Sequence, residues 1–258
     1  MTNENKILKK TAIVTGGAKG IGWAACQTLH RDGFQVAILD WDKSGQDRAK
    51  ELGENALFVL CDVSNEEAII EAIKNINDAF GSIDVLVNNA GIQRYSTVTE
   101  TTEQEWDLVM NVNLKSAFLC AKHVIPHMQK KGNGVIINVS SVQAFISQQN
   151  VAPYTTAKTA MLGLTRSIAV DYGPQIRCTA VCPGTIDTPM LRESIALSPD
   201  PQEVYQECVD MHLLKRIGTP TEVGELIAFL ASDKATFFTG QAIRVDGGLG
   251  ILVAGSKR

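Results

Sequence analysis

The stretch "TAIVTGGAKGIGWAA", Thr11 to Ala25, decides how the rest of the chain is read. It opens with an apolar run of strand length. Gly16, Gly17, Gly20 and Gly22 then crowd into a turn, and the residues that follow open a first helix. Such a cluster has two readings: a flexible turn, or a cradle in which backbone N–H groups at a helix N-terminus face a phosphate. The spacing of Gly16, Gly20 and Gly22 is G-x-x-x-G-x-G, not the G-x-G-x-x-G of the broader dinucleotide-binding fold. Alone, the cluster leaves both readings open.

The sequence around it narrows the choice. Runs of strand length recur at 11–15, 35–39, 56–60, 83–87, 134–139, 176–181 and 242–245. Most are continuously apolar, the pattern of strands covered on both faces. Between them lie segments of helical periodicity, such as "NEEAIIEAIKNINDAF" at 65–80 and "TEVGELIAFLAS" at 221–232. This alternation predicts an α/β fold: a single-domain, Rossmann-type, doubly wound parallel sheet of about seven strands with helices on both faces. No repeat, low-complexity tract or Pro/Ser-rich linker divides the 258 residues, so one unit is expected across 1–258. The stretch "LSPDPQEV" at 197–204 reads as an insertion.

In such a fold a pyrophosphate sits at the turn after the first strand, and an acid ending the second strand meets the adenosine ribose. "VAILD" ends at Asp40, 18 residues beyond Gly22. A carboxylate there accepts hydrogen bonds from the ribose hydroxyls and repels an added 2′-phosphate, so NAD is expected over NADP. Lys19 leaves two readings, a partner for a 2′-phosphate or a solvated turn residue.

Composition sets other classes aside. A net charge of −4, with no lysine or arginine run longer than two, gives no footprint for nucleic acid. The opening residues are polar where a signal peptide needs an apolar stretch, and no apolar run reaches the roughly 18–20 residues of a membrane span. A soluble, cytoplasmic protein is expected. Six scattered cysteines without a C-x-x-C pair read as buried, reduced thiols.

Several further motifs resemble those of the short-chain dehydrogenase/reductase family, and the resemblance covers nearly the whole chain. "TGGAKGIG" is similar to the family's T-G-x-x-x-G-x-G, which implies that Gly16, Lys19, Gly20, Ile21 and Gly22 surround the pyrophosphate. "CDV" at 61–63 resembles the segment along the adenine, implying Asp62 there with Cys61 and Val63, and Trp41 beside Asp40 joins this set. "NNAG" at 88–91 implies that Asn89, Ala90 and Gly91 shape the cofactor cleft. "PGTIDT" at 183–188 resembles P-G-x-x-x-T, which implies Pro183, Gly184, Ile186 and Thr188 at the nicotinamide amide. "YTTAK" resembles Y-x-x-x-K and implies that Tyr154 and Lys158 touch both cofactor and chemistry.

The chemistry of that last pair is readable from the residues themselves. Tyr154 and Lys158 are four apart in a helical segment and share a face. An ammonium beside a phenol is expected to draw its pKa down from about 10, giving a general base for a substrate hydroxyl. Two serines, Ser140 and Ser141, end a strand in "INVSSVQA"; family spacing favours Ser141 as the partner of the reacting oxygen, with Ser140 the alternative. In "MNVNLKS" the resemblance selects Asn113, implied to hold a water that relays protons from Lys158, with Asn111 the alternative. His123 and His127, four apart on one helix, read as a surface or interface pair, and no metal is expected.

"SVQA" and "RCTAVCPGTIDTP" are similar to stretches of NAD(P)-dependent aldose 1-dehydrogenases, those of aldohexoses and L-fucose. Gln93, Arg94, Ser141, Gln143, Gln148, Gln149, Tyr154, Thr185 and Asp187 would frame a pocket rich in hydrogen-bonding groups, suited to a polyhydroxylated small molecule. The expected reaction is oxidation of a sugar at its anomeric carbon. A reductase of 3-ketoacyl thioesters or another carbonyl keeps the same fold, and a non-catalytic NAD-binding module is a distant third reading. Residues 190–215 are implied to form a lid over the substrate, and the apolar surplus of the helices at 103–130 and 153–173 points to helix-to-helix association, with a homotetramer implied by the resemblance. The end, "VDGGLGILVAGSKR", is then expected near a subunit boundary.

Overall fold

The computed structural model describes residues 9 to 251. Strands β1 (Thr11–Thr15), β2 (Gln35–Asp40), β3 (Ala56–Leu60), β4 (Val85–Asn88), β5 (Gly134–Val139), β6 (Ile176–Pro183) and β7 (Ala242–Val245) form one sheet. Their order is β3-β2-β1-β4-β5-β6-β7, and every neighbouring pair is parallel. Each expected run is a strand. β4 starts two residues later than its apolar run, since the carboxylate of Asp84 accepts the N–H of Thr11 at 2.9 Å and the hydroxyl of Ser82 at 2.9 Å. Asp84 thereby anchors the start of β1.

Helices cover both faces because alternate residues of each strand are apolar on both sides. On one face α1 (Gly20–Arg31), α2 (Gly45–Leu52) and α9 (Pro220–Ala231) bury Ala25, Leu29, Ala49, Val223 and Ile227 against Val14, Ile38 and Val87. On the other, α3 (Glu66–Phe80), α5 (Ser116–Lys131) and α6 (Ala152–Tyr172) bury Ile69, Ile73, Leu119, Val124 and Ile168 against Ile13, Leu39 and Leu86. Helix starts follow local chemistry. Asn65 accepts the N–H groups of Glu67 and Ala68, and Thr219 and Glu222 close a reciprocal capping box ahead of α9.

The expected helix at 103–130 is not one continuous α-helix. α4 (Glu103–Met110) and α5 are joined by a π-helical turn, Asn111–Lys115. The side chain of Asn113 enters the ladder there, donating from Nδ2 to the carbonyl of Val109 at 2.9 Å.

β1 lies between β2 and β4, so the chain builds one half of the sheet outward from β1 and then returns to build the other. Helices leaving β1 and β4 go to opposite faces, and a crevice opens beyond the carboxyl ends of these strands. The glycine turn and the "NNAG" segment both lie there. The last seven residues, part of the stretch expected near a subunit boundary, fall outside the described residues.

Candidate active site

The crevice is held together by its own side chains. The hydroxyl of Thr15 accepts the N–H groups of Asn89 and Ala90 at 2.9 and 3.0 Å. Asn89 returns two bonds, Nδ2 donating to the carbonyls of Thr15 and Gly16, each at 3.0 Å. Glycine is obligatory at this junction: a Cβ on Gly22 would stand 2.0 Å from the Gly16 carbonyl oxygen, and one on Gly16 would stand 2.9 Å from the Ala90 Cα. Lys19 precedes α1 without a side-chain cap, and the first turn carries no acid. Its orphan N–H groups and the positive end of the helix dipole suit a pyrophosphate. The glycine cluster thus has the shape of a cradle and not only of a turn. Ile21 is half-buried beside it.

At the adenosine end, Asp40 is 8% exposed and already bonded through both oxygens. Oδ2 accepts the N–H of Ala18 and Oδ1 that of Asp42, each at 2.9 Å. A carboxylate retains further lone pairs for ribose hydroxyls. Lys19 is an exposed turn residue that is also ion-paired: its Nζ lies 2.5 Å from Asp42 Oδ2. This contact raises the Lys19 pKa and holds the Asp42 carboxyl down at about 2. Asp42 escaped the sequence reading, although its signal, a second acid in "DWD", was present. Trp41 between them is largely exposed. Of "CDV", only Asp62 faces outward; Cys61 and Val63 are buried among core residues, and Asp62 Oδ1 is occupied by Ser64 N–H and Oγ at 2.9 and 2.7 Å.

On the catalytic side, strand β5 delivers the two serines into different surroundings. Ser140 Oγ donates to the Lys158 carbonyl at 2.7 Å and so braces α6. Ser141 Oγ accepts the Gln143 N–H at 3.1 Å and lies beside the Tyr154 hydroxyl. Lys158 is buried, with Nζ donating to the Val139 carbonyl at 2.9 Å and standing 5.6 Å from the centroid of the Tyr154 ring. Here the expected depression of the phenol is corrected. Burial pushes Tyr154 up to about 12, offset in part by the Ser141 hydroxyl, and burial pulls Lys158 down to about 8. Loss of water around both groups outweighs their attraction.

Asn113 is built into the loop after β4. Its Nδ2 donates to the carbonyls of Ile92 and Val109, both at 2.9 Å, while Oδ1 accepts the Ile92 N–H at 3.1 Å. Both amide protons are committed, and Oδ1 keeps a second lone pair that a water could donate to. Asn113 pins the loop after β4 to the helix beneath, and a Cβ on Gly91 would come within 2.7 Å of Oδ1.

The raised Tyr154 pKa has a kinetic sign. A general base titrating above working pH is mostly protonated, so oxidation should climb nearly tenfold per pH unit between about pH 6 and 8, below the point where Lys158 loses its charge, whereas the reverse reduction, which needs the phenol, should not rise. Initial rates in both directions across that range check this. A flat oxidation profile would overturn the assignment of Tyr154 as base.

The polar residues read as substrate contacts are partly engaged with one another. Buried Gln143 donates from Nε2 to Gln148 Oε1 at 3.0 Å and accepts the Thr155 hydroxyl at 3.3 Å. Arg94 donates to the Gln93 carbonyl at 3.0 Å. Asp187 is held by Arg192 in a bidentate pair at 2.8 and 2.9 Å, and the Thr185 N–H is donated to His212. Pro183 ends β6, Gly184 leaves room for no Cβ beside Asp246, and Ile186 is buried and pairs with Gly218. Thr188 caps α7 (Pro189–Ile195). Tyr95, also missed, reaches across the site to α7, its hydroxyl 2.6 Å from Ser194 Oγ. A hollow of about 480 Å³ lies between α7 and α8 (Pro201–Asp210), lined by Ile195, Ala196, Pro201 and Tyr205 and by none of the candidate catalytic residues. His123 pairs with Glu66 at 2.8 Å, and no group of three potential metal ligands occurs among the described residues. None of the described helices is long and apolar enough to cross a membrane.

A cradle for a dinucleotide that opens towards the half-buried Tyr154 and buried Lys158 defines a nicotinamide-dependent oxidoreductase acting on CH–OH groups. The profile described as "Enoyl-(Acyl carrier protein) reductase" matches residues 16–250, and the chain belongs to the short-chain dehydrogenase/reductase family. It is 39% identical to an uncharacterized oxidoreductase of Thermotoga maritima over 244 residues, 93% of this chain and 96% of that one. It is likewise 39% identical to 2-(R)-hydroxypropyl-CoM dehydrogenase of Xanthobacter autotrophicus over 249 residues, 93% and 98% of the two chains. The ligand-free structure of Thermoplasma acidophilum aldohexose dehydrogenase superposes with a TM-score of 0.90 at 39% identity, covering 97% of each chain.

Proposed function

We propose that the chain is an NAD-dependent dehydrogenase that oxidises the anomeric carbon of an aldose. The observation that carries the sugar reading is the buried Gln143, set beside Ser141 in a relay with Gln148 and Thr155. It places amide donors and acceptors next to the reacting position, where a hydroxyl-rich ring offers partners. Likeness to an aldohexose dehydrogenase over nearly the whole of both chains supports it. NAD is favoured over NADP because Asp40 and Asp42 both lie at the end of β2 while the charge of Lys19 is already matched. Gly16, Gly20, Gly22, Asp40, Asn89 and Thr188 would hold the dinucleotide.

In this reading the Tyr154 phenolate takes the proton from the substrate hydroxyl. Ser141 donates a hydrogen bond to the same oxygen and fixes it. The Lys158 ammonium, beneath the ring, steadies the negative charge of the phenolate below about pH 8, where it is still protonated. When bound, NAD supplies the hydride acceptor. Asn113 keeps the Gly91–Ile92 backbone against this group. Residues 190–215 act as the lid, tied down by Tyr95–Ser194 and Asp187–Arg192. Exposed Phe118 on α5 and Val170 on α6 fit burial between subunits of a homotetramer.

Reduced nicotinamide should appear when the purified chain meets NAD and an aldose, and more slowly with NADP. The panel includes secondary alcohols, since the Xanthobacter relative, also 39% identical, bears the name 2-(R)-hydroxypropyl-CoM dehydrogenase. Turnover confined to such alcohols, or to a ketoacyl thioester in the reducing direction, would replace the sugar by that substrate.

A further inference from the structure

His212 is buried, 1% exposed, and belongs to none of the groups assigned so far. It follows the C-terminal end of α8, in the lid. Both ring nitrogens are used. Nδ1 contacts the Cys208 carbonyl at 2.7 Å, and the N–H of Thr185 is directed at Nε2 from 3.2 Å. A backbone N–H requires a lone pair opposite it, so Nε2 is the acceptor and Nδ1 carries the proton donated to the Cys208 carbonyl. The imidazole is wedged between two glycines: a Cβ on Gly184 would stand 3.0 Å from Nε2, and one on Gly247 would stand 3.2 Å from Cδ2.

The loop from Gly184 to Asp187 is otherwise held by backbone bonds and by the pairing of the Asp187 carboxylate with Arg192 at its far end. Gly184 N–H donates to the Val245 carbonyl, the Thr185 carbonyl accepts from Gly218, and Asp187 N–H returns to Gly218. The Thr185 N–H is the member of this set bound by a side chain, and that side chain belongs to the lid. The bond therefore fastens the start of the loop to the end of α8, while the Asp187–Arg192 pair fastens its far end to α7.

We infer that His212 is a positioning residue that locks the Gly184–Thr188 loop to the end of α8, so that grip on the nicotinamide half of the cofactor depends on its Nε2 acceptor. This rests on the reading of that loop as the nicotinamide contact. It carries no such consequence for the adenosine half, whose contacts lie at Asp40 and the glycine turn.

The test compares binding of NADH and of ADP-ribose, which lacks the nicotinamide, by calorimetry. His212→Asn ends at the position of Nδ1 and loses the acceptor; His212→Gln carries an amide oxygen out to the position of Nε2. The Asn variant should bind NADH about tenfold more weakly, the worth of one hydrogen bond, with ADP-ribose unchanged within about twofold, and the Gln variant should recover most of the loss. His212→Phe, which fills the same space without an acceptor, should repeat the selective loss and serves if the Asn variant does not fold. Equal weakening of both ligands, no weakening, or failure of Gln to recover would each overturn the inference. A wild-type chain that binds neither NADH nor NADPH would instead overturn the cofactor reading itself.

Discussion

Tyr154→Phe should lower turnover by about three orders of magnitude while leaving affinity for NADH within about twofold. The substitution removes one oxygen from a half-buried ring and keeps its volume, so the contact with Lys158, 5.6 Å from the centroid, survives. What is lost is the phenol beside Ser141, just beyond the end of β5. The remaining rate should also lose its rise with pH, because that rise reports the group removed. Steady-state rates and a binding isotherm on the same preparation check both halves. Turnover within tenfold of the parent would sink the mechanism, whatever the substrate proves to be.

Lys158→Met should act in opposite directions on activity and on stability. Burial pulls the Lys158 pKa from 10.5 to about 8, so the folded state binds this proton less tightly than the unfolded one. At about 1.36 kcal/mol per unit, the charged lysine costs the fold about 3 kcal/mol below pH 8. Leaving the Val139 carbonyl without its donor takes back about 1 kcal/mol. The variant should therefore be more stable by about 2 kcal/mol at pH 7, a rise of about 4–8 °C in Tm for a domain of this size. The sign follows from a lowered cationic pKa: the penalty is complete below the folded value of about 8 and vanishes above 10.5, so the variant's advantage should shrink over that interval. Turnover should fall at least a hundredfold, as the charge that steadies the phenolate is gone. A variant less stable than the parent at pH 7 would show that Lys158 is well accommodated.

Where contacts are local or repeat along the chain, the sequence was readable. The strands announce themselves because burial on both faces demands unbroken apolar runs, and Asn65 and Thr219 mark helix starts by short-range hydrogen bonds. The cradle was readable for the same reason, since strand, glycines and helix are consecutive. What escaped depends on distant partners. The π turn exists because Asn113 bonds to Ile92, 21 residues earlier, and no helical pattern carries that information. Tyr95 meets Ser194 across 99 residues and His212 meets Thr185 across 27, each through a side chain with ordinary local surroundings. The direction of the Tyr154 shift failed for another reason. Spacing shows that an ammonium is near, but not how much water the fold removes from both groups.

The amide side chains that stitch the crevice have a consequence for how this chain tolerates change. Asn89 and Asn113 bond backbone groups much as a neighbouring strand would, so the loop after β4 is in effect part of the sheet. An insertion of even one residue at 88–92 would unpick both stitches together. The opposite bank of the crevice is fastened at separate points, Tyr95 to Ser194 and Asp187 to Arg192, on short helices at the surface. On the proposed lid reading, exchanging 190–207, short of the Cys208–His212 contact, should change specificity while the chemistry stays in place, much as a tool holder accepts different bits.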